Sequence, residues 1–559
     1  MSESEKFLKD AQLKKLMKTV YDEVKLFADS KSEALKKLAQ IGIALSAEKN
    51  TKKLLEMIVT CARDFTNADA GTLYTVDENR NVLNFEIIQN DTLGTKLGGL
   101  SGGEIKLTPV PLEIDGQPNH SNVSSYTALT GETINIPDVY EAKDFDFTGP
   151  RKYDEQTGYR SCSMIVIPLK NHANEIIGVL QLLNAKDSKS NKVIAFSEEY
   201  MELVSALASQ AAVALENNQL IEDLQNLFDA FIQGIATAID EKSPYTGGHI
   251  RRVTELTMNI ANEVNKASEG PFAGIKFTED EIEELRIATW LHDVGKITTP
   301  EFIIDKATKL ETIFDRSKLI EARFELIKQI AENNYLKEKI KLVESKKDNK
   351  KELNWIYEKF CEDIENLDAE KEFIVQCNVP GEFNEEEEFN LLQNIGEKRF
   401  YLNDTEQKYL NDNELYNLSI RRGSLTKEER EKIEYHVSMS IKILEKLHFP
   451  KKLSRVSEYA GGHHEMLDGS GYPKGLSAEQ LPLQARIMAL ADIFESLTAK
   501  DRPYKKPLKL SETIKILTQM RKENKIDPDL FDLFINSNIL ENYTKKELDP
   551  EQLDVDIKL

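Results

Sequence analysis

The spacing of apolar residues changes along the chain and separates its first elements. In residues 1–48, Leu13, Leu16 and Val20 recur at helical spacing among lysines and glutamates, which predicts a packing or dimerising helix. A shorter amphipathic helix is predicted around Leu54–Val59. Four later apolar segments lie between turn residues and predict strands: 70–76, 82–88, 164–169 and 176–184. Together they predict an α+β domain over 49–195, with an antiparallel sheet flanked by helices.

A continuous helical pattern over 196–240 then links this domain to the rest of the chain. Its apolar seam has spacings that alternate between three and four: Leu207, Gln210, Ala214, Asn217, Ile221, Leu224, Phe228, Phe231 and Ile235. This is the a/d pattern of a coiled coil, in which Gln210 and Asn217 are polar positions that fix the register. We predict a signalling helix that forms a parallel homodimer. The alternative is a single amphipathic helix packed on its own domain.

Composition and charge narrow the setting in which the protein works. With 559 residues the chain is long enough for about two to four domains. The net charge of -23 argues against binding to nucleic-acid polymers or anionic membranes, and a phosphate-bearing substrate would need local cations or metal ions. No segment approaches the roughly 18 apolar residues of a membrane span, and the charged N-terminus does not match a signal peptide. The four cysteines form no CxxC pair, so we expect a reduced, cytoplasmic protein.

Histidines and carboxylates in the second half of the chain form a candidate metal site. The residues concerned are His249, His292, Asp293, His436, His463, His464 and Asp492. Singly, each has an ordinary explanation, such as a capped histidine or a surface aspartate. Together, five imidazoles and two carboxylates without thiolates suit iron, manganese, nickel or zinc. The number of ligands fits two ions with a bridging carboxylate, the arrangement used for two-metal hydrolysis.

The first domain resembles the GAF family. The resemblance rests on Ser163–Asn184, with its Pro-Leu pair, its Gly-Val-Leu-Gln-Leu run and its terminal asparagine. It implies either a small ligand of unknown identity under the variable loops or a ligand-free dimerisation module. Asn184, Lys186 and Asp187 lie where some cyclic-nucleotide-binding relatives carry an Asn-Lys motif, which Ala185 interrupts here.

The second half resembles the HD phosphohydrolase superfamily and, within it, the HD-GYP branch. His249, His292-Asp293 and Asp492 match the superfamily pattern, and His436, His463-His464 and Asp468–Pro473 match the branch. The resemblance covers about 225–310 and 425–530. It implies an all-α catalytic domain over 241–545, followed by a tail over 546–559. In the family the connection after Lys306 is only a few residues long, so we interpret about 311–424 as a helical insertion.

The resemblance also implies roles for the site residues. One metal would be held by His249, His292, Asp293 and Asp492, and Asp293 would bridge to a second held by His436, His463 and His464. Asp293 would also orient the attacking water, and Lys296 would contact the scissile phosphate. Gly471, Tyr472 and Pro473 of the loop would also contact the substrate. Arg502 and Lys505 would bind a phosphate of the substrate as a pair. Tyr245 occupies the position where some three-metal relatives carry glutamate, which favours a site with two ions. We expect these ions to be iron or manganese, with nickel or zinc as alternatives.

The implied activity is that of a GAF-regulated phosphodiesterase. It would hydrolyse cyclic di-GMP to pGpG or GMP by metal-activated water. The alternatives are hydrolysis of 3′,3′-cyclic GMP-AMP or another phosphoester, and a catalytically idle effector that binds a dinucleotide. A protein partner could dock on the Gly-Tyr-Pro loop or on the 311–424 insertion, and the insertion could equally be a solvated excursion.

Overall fold

The computed structural model describes residues 3–77, 79–242, 247–345, 349–381, 386–500 and 507–555. These residues form two compact units, Met1–Leu227 and Phe228–Leu559. The boundary between them falls inside the long helix that the heptad pattern predicts over 196–240. Within the described ranges, no helix combines the length and the apolar character needed to cross a bilayer.

The first unit is an antiparallel sheet flanked by helices, as the sequence predicts. Its helices are α1 Glu3–Ala47, α2 Thr51–Thr66, α3 Val123–Thr130, α4 Thr148–Thr157 and the first part of α5 Glu198–Asp240. Its strands are β1 Ala68–Asp77, β2 Val82–Asn90, β3 Thr95–Gly98, β4 Val110–Pro111, β5 Glu113–Ile114, β6 Gln117–Pro118, β7 Ile134–Ile136, β8 Met164–Lys170, β9 Ile176–Lys186 and β10 Val193–Ile194. The main sheet has the order β3-β2-β1-β9-β8-β7, with β4 on β2 and β10 on β9.

One face of this sheet is buried under α1, α2 and α5. Leu73, Ile167 and Leu180 from the strands meet Leu54 and Ile58 of α2, all fully buried or nearly so. The early positions of the predicted heptad seam join the same core, since Leu207 and Ala214 pack with Leu38 and Leu45 of α1. The later seam positions Ile221 and Leu224 are exposed. The seam therefore packs on its own domain at its start and presents apolar residues to solvent further on.

The second unit consists mainly of helices. After the end of α5, its helices are α6 His249–Lys266, α7 Glu279–Leu291, α8 Glu301–Ile304, α9 Ser317–Glu344, α10 Lys350–Asn378, α11 Glu386–Glu397, α12 Asp412–Leu418, α13 Lys427–Leu444, α14 Val456–Gly461, α15 Leu483–Thr498, α16 Leu510–Lys522, α17 Pro528–Asn536 and α18 Asn538–Glu547. Short 3₁₀ turns lie at Val294–Thr298, Lys451–Leu453 and Pro550–Gln552. The Phe494 side chain is central to the core between α6, α15 and α17, where it packs edge-on against Phe534 with ring centroids 5.0 Å apart.

The segment predicted as an insertion contains a helical hairpin with its own core. Helices α9 and α10 pack together, and Phe324, Ile374 and Leu392 are among the buried residues that join them to α11. The segment also contains a strand pair, β11 Arg399–Leu402 and β12 Thr405–Lys408, which the prediction of a purely helical insertion missed. Asn403 and Asp404 between these strands both have positive φ, at 49° and 62°. Such a pair forms the tight turn that matches the twist of a two-stranded hairpin.

Candidate metal centre

The first group of site residues is placed by the facing ends of α6 and α7. His249 is the first residue of α6, and Gly248 before it has φ 83°, a conformation that glycine adopts without a steric cost. Helix α7 ends at Leu291, so Asp293, with φ -96° and ψ 8°, has left the helical path. Consecutive helical residues would diverge by about 100°. Because the helix ends here, the side chains of His292 and Asp293 can both face His249.

The second group comes from α13 and from the segment after α14. His436 lies on α13, and His463 and His464 follow Gly461 at the end of α14. The imidazole rings of His463 and His464 have centroids 4.1 Å apart, and the rings of His436 and His464 are 5.3 Å apart. Within each group, His249-His292-Asp293 and His436-His463-His464, possible ligand atoms lie within 4.8 Å of one another. Both sets therefore have the spacing of metal ligands.

Asp293 lies between the two groups. Its Oδ2 is 3.2 Å from His292 Nε2 and 3.6 Å from His249 Nε2, while its Oδ1 is 3.2 Å from His436 Nε2. Asp492 completes the first group, with Oδ1 3.4 Å from His249 Nε2. A carboxylate with one oxygen toward each imidazole set has the arrangement of a bridging ligand.

A glycine brings the two groups this close together. The 3₁₀ turn after Asp293 packs on α13, where the Gly295 amide donates to Ser440 Oγ at 2.8 Å. A Cβ atom at position 295 would collide with the carbonyl oxygen of His436 and the amide nitrogen of Ser440. The glycine in the His-Asp-Val-Gly-Lys run is therefore required for the approach of His436 to Asp293.

The buried imidazoles fit a metal because of the nitrogens that they leave unpartnered. The Nδ1 atoms of His292 and His463 lie 2.6 Å from the backbone carbonyls of Thr289 and Ala460, and His436 Nδ1 contacts the carbonyl of Ile433 in the same way. A carbonyl can only accept, so each Nδ1 carries the proton and each Nε2 has a free lone pair. All three Nε2 atoms are buried without a hydrogen-bond partner, as is Asp293 Oδ1. Lone pairs directed at a carboxylate repel it unless a cation lies between them, so this donor set fits bound metal ions.

The pKa shifts in the two groups have opposite directions. Burial lowers the pKa of His464 to about 4 and lowers that of His463 well below its usual value. Burial would also lower the pKa of His292, but the Asp293 carboxylate outweighs it and raises that pKa. The pKa of Asp293 is held well below its usual range, because Lys296 and His292 outweigh the effect of its own burial. His463 and His464 are therefore neutral and ready to donate lone pairs, and the Asp293 carboxylate supplies negative charge that attracts a cation.

Glu495 contacts a candidate metal ligand and was not identified from the sequence. It is fully buried one turn after Asp492 on α15, and its carboxylate contacts His249 Nδ1 and accepts from Arg252 Nε at 2.7 Å. The contact fixes His249 with its Nε2 toward Asp293 and Asp492, as outer-sphere carboxylates do for metal-binding histidines. The i,i+3 spacing of Asp492 and Glu495 on an otherwise apolar helix was the available signal.

The Gly-Tyr-Pro loop is held against the second group by buried hydrogen bonds. Glu465, only 3% exposed, accepts from the amides of Lys474 and Leu476 at 2.7 and 2.8 Å. The Tyr472 ring lies 4.8 Å from the ring of His464, and its amide donates to the His464 carbonyl at 3.2 Å. A Cβ atom at Gly471 would meet the backbone of 464–466, so the loop can follow this path only with glycine there.

A cavity of about 740 Å³ opens onto both groups of site residues. His249, Asp293, His436, His464 and Asp492 line it, together with Lys296 and Tyr472. Lys296 Nζ donates to Asp293 Oδ2 at 2.6 Å, so this predicted phosphate contact lies beside the carboxylate. Gly471 and Pro473 do not line the cavity. The predicted pair Arg502 and Lys505, like Tyr245, lies outside the described residues.

The first unit has a separate cavity of about 600 Å³ above its sheet. Aromatic rings of Tyr74, Phe85 and Phe147 line it, with Gln181 among the polar side chains. The residues of the interrupted Asn-Lys motif have structural contacts. Asn184 Oδ1 accepts from the Cys162 amide at 2.7 Å, and Lys186 forms an ion pair with the buried Asp69. These contacts explain both side chains without a ligand.

Family models match three parts of the chain. A GAF domain model matches 50–215, and two HD domain models match 246–371 and 412–530. The two HD matches fall in the same compact unit and contribute to the same site, since His292 and Asp293 come from one and His436 and His463 from the other. They are therefore two halves of one domain.

Curated relatives match short parts of this chain at substantial identity. The 3′3′-cGAMP-specific phosphodiesterase 1 of Vibrio cholerae is 41% identical over 85 residues, covering 15% of this chain and 20% of the relative. The probable cyclic di-GMP phosphodiesterase of the same organism is 38% identical over 127 residues, covering 21% and 28%. The cyclic di-GMP phosphodiesterase of Thermotoga maritima is 38% identical over 96 residues, covering 17% and 26%. The matches thus span only about a quarter of these relatives' own lengths.

The fold, the site and the family matches define a protein in which a GAF domain is joined to an HD domain. Its HD domain carries the paired histidines and the Gly-Tyr-Pro loop, and the curated relatives that match this chain are named as cyclic di-GMP and 3′3′-cGAMP phosphodiesterases.

Proposed function

We propose that the chain hydrolyses a cyclic dinucleotide, with cyclic di-GMP as the first candidate and pGpG or GMP as the product. The observation that supports this most strongly is the position of Asp293 between two imidazole groups whose Nε2 atoms face it. The cavity above them has a volume within the usual range of small-molecule sites, about 300–1,000 Å³. The curated relatives named as cyclic dinucleotide phosphodiesterases support the same substrate class.

The ligand types are best suited to two divalent ions, iron or manganese first and nickel or zinc as alternatives. Such ions, when bound, lower the pKa of water from about 15.7 toward 7 and offset charge that develops on a phosphate. His249, His292 and Asp492 would hold one ion and His436, His463 and His464 the other, with Asp293 shared between them.

Asp293 and Lys296 have the remaining chemical tasks in this proposal. The Asp293 carboxylate orients the attacking water in line with the scissile P–O bond. The Lys296 ammonium, 2.6 Å from Asp293, is placed to contact an oxygen of the same phosphate. Tyr472 on His464 forms the side of the cavity nearest the second group.

We also propose that the GAF domain regulates this activity in a parallel homodimer joined along α5, within the cytoplasm. The exposed seam residues Ile221, Leu224 and Phe231 support the dimer, because large apolar side chains in heptad register gain from a partner helix. The aromatic cavity of the GAF domain supports a small regulatory ligand.

The alternatives are 3′,3′-cyclic GMP-AMP or another phosphoester as substrate, and an idle dinucleotide-binding effector. The name of the Vibrio cholerae relative supports the first alternative. An idle effector is disfavoured because each proposed metal ligand lies beside the others in the site. Elemental analysis of the purified chain, with chromatography of products from both dinucleotides, separates the possibilities. Bound metal without turnover of either dinucleotide would contradict the proposal.

Replacement of the shared carboxylate is the sharpest single test. We expect Asp293→Ala to abolish turnover and to lower the metal content, because it removes the one side chain between the two groups. Asp363→Ala is the matched control, since it removes one exposed carboxylate from α10 outside the cavity. Turnover in Asp293→Ala equal to that of the control would show that the site is wrongly assigned.

A further inference from the structure

Part of the cavity lining is apolar, and it lies beside the polar residues Asp305, Lys306 and Ser424. We call it the apolar wall, and it consists of Ile303, Ile304, Val379, Pro380, Leu425 and Ile433. Val379 and Pro380 belong to the insertion, directly after the end of α10 at Asn378. The insertion, which the sequence left open as bulk or as a docking arm, therefore forms part of the cavity itself.

The end of α10 is fastened where it meets the cavity. Asn378 is 4% exposed, and its Oδ1 accepts from the Leu310 amide at 2.7 Å. Its Nδ2 donates to both carboxylate oxygens of Asp315, at 3.2 and 3.0 Å, and its carbonyl accepts from the Lys309 amide at 3.0 Å. A side chain satisfied on all sides holds the next two residues in one position, so Val379 and Pro380 are fixed parts of the wall.

The chain segments that enter and leave the insertion are joined beside the same wall. Lys306 Nζ is buried and donates to Glu429 on α13 at 2.7 Å and to Asn417 on α12 at 2.9 Å. Ser424 Oγ donates to the Lys306 carbonyl at 2.9 Å. These bonds connect the insertion to the helix that carries His436, so the apolar wall has a defined distance from the metal centre.

We propose that the apolar wall receives a nucleobase of the substrate and that the insertion, through Val379 and Pro380, selects dinucleotides over smaller phosphoesters. The inference rests on the proposed function, because it places a nucleobase of the proposed substrate in the same cavity as the scissile phosphate. Val379 is 62% exposed although it is large and apolar, so it has surface that a bound base would remove from water. A phosphate at the metal centre needs no apolar surface, whereas a purine has two apolar faces.

The test compares Val379→Ser with Val375→Ser. Val375 lies one turn earlier on α10 and is 38% exposed, but it does not line the cavity, so it is a matched control. For cyclic di-GMP we expect Val379→Ser to raise KM about tenfold with kcat nearly unchanged, because apolar pocket contacts of this size discriminate substrates by about this factor. The inhibition constant of inorganic phosphate, which has no base, should stay within about twofold, and the control should match the wild type in both measurements.

The outcomes separate the inference from the proposed function. Unchanged KM in Val379→Ser, or an equal loss for cyclic di-GMP and for phosphate, would overturn the role of the wall alone. Pro380→Ala provides a second variant with the same expectation if the first does not fold. If the wild type binds cyclic di-GMP without turnover, the proposed function is wrong. The inference is then tested by calorimetry, and it holds only if the dissociation constant of cyclic di-GMP is about tenfold higher for Val379→Ser than for the wild type. If the wild type does not bind the dinucleotide, both are wrong.

Discussion

At the scale of single residues, the site depends as much on the groups behind the imidazoles as on the imidazoles themselves. His292, His436 and His463 each direct Nδ1 at a backbone carbonyl three residues earlier, so helical geometry alone fixes their tautomers. His249 is the first residue of its helix, and its Nδ1 contacts the Glu495 carboxylate instead. The pKa of Glu495 is held below its usual value, because His249 and Arg252 outweigh the effect of its burial.

The Glu495 carboxylate can be tested by a substitution that keeps its size and removes its charge. We expect Glu495→Gln to weaken metal binding by about 10–100-fold, the usual effect of losing an outer-sphere carboxylate. Competition with a metal-binding dye would measure the change. Glu458→Gln, which removes an exposed carboxylate paired with Arg455, is the control. Equal metal affinity in the two variants would show that Glu495 only supports the packing of α15.

A buried ion pair in the GAF domain makes its stability depend on pH. Asp69 is 3% exposed and pairs with Lys186, and its Oδ1 also accepts from Thr92 Oγ1 at 2.8 Å. Burial would raise the pKa of Asp69, but Lys186 and Thr92 outweigh it and lower that pKa. The pair therefore stabilises the fold above the ordinary carboxyl pKa of about 3.9, and the contribution disappears as the pH falls through the lowered value.

From this pair we predict a pH-dependent loss of stability. Lys186→Met leaves a buried carboxylate without its cation and should cost about 2–3 kcal/mol at pH 7. The difference from the wild type should shrink as the pH falls below the ordinary carboxyl pKa of about 3.9 and through the lowered value, because a protonated Asp69 needs no cation. Urea unfolding at pH 7 and pH 3 measures both values. Thr92→Val, which removes a neutral hydrogen bond to the same carboxylate, should cost less at pH 7, and a pH-independent difference for Lys186→Met would contradict the argument.

At the scale of elements, helix α5 has two kinds of surface. Leu207 and Ala214 are buried against α1, and Ile232 and Ala236 are buried in the second unit. Between them, Leu220, Leu224 and Leu227 are each more than half exposed. The first part of α5 therefore packs on its own domain, and the exposed part is where the proposed dimer would form.

For this exposed part we predict a loss of dimerisation on adding charge. Leu224→Asp should raise the dimer dissociation constant by about 100-fold or more, which corresponds to about 3 kcal/mol of lost apolar contact. Light scattering over a dilution series measures it. Gln225→Asp adds the same charge to the next exposed position and should leave the dimer intact. A wild type that is monomeric at high concentration would rule out the α5 dimer.

The sequence predicts the elements well where a pattern repeats within one element. Strands β1, β2, β8 and β9 overlap their predicted ranges, since periodicity reports which face of an element is buried, and helices α9 and α10 lie within the predicted helical insertion. The β11–β12 hairpin was missed because its strands are short and its turn is Asn-Asp rather than a pair with glycine.

At the scale of the whole molecule, the sequence predicts the histidines and aspartates that the fold brings together but not the residues that support them. Histidines are scarce in this chain, so His463-His464 and His292-Asp293 are conspicuous. Glutamates are common, so nothing in the sequence distinguishes Glu465, and only its i,i+3 spacing from Asp492 distinguishes Glu495. No sequence pattern near Val379 and Pro380 indicates that they line the cavity, because this position results from tertiary packing.

Net charge also has its effect at this scale. The chain carries -23, which repels an anionic substrate at long range. Bound divalent ions would offset the negative charge of the Asp293 and Asp492 carboxylates in the cavity, where Lys296 adds a positive charge. Metal loading therefore changes the local field from repulsive to attractive, and substrate binding should depend on it.

The joined ends of the insertion have a consequence for the order of folding. Lys306 and Ser424 are 118 residues apart in sequence and share a hydrogen bond. Closing a flexible loop of that length costs about 4 kcal/mol of chain entropy, apart from a constant. An insertion that acquires its own core around Phe324 and Ile374 first would shorten that loop before His249 and His436 meet. The two halves of the metal centre would then assemble as though they were neighbours in sequence, and the insertion would act as an internal folding aid.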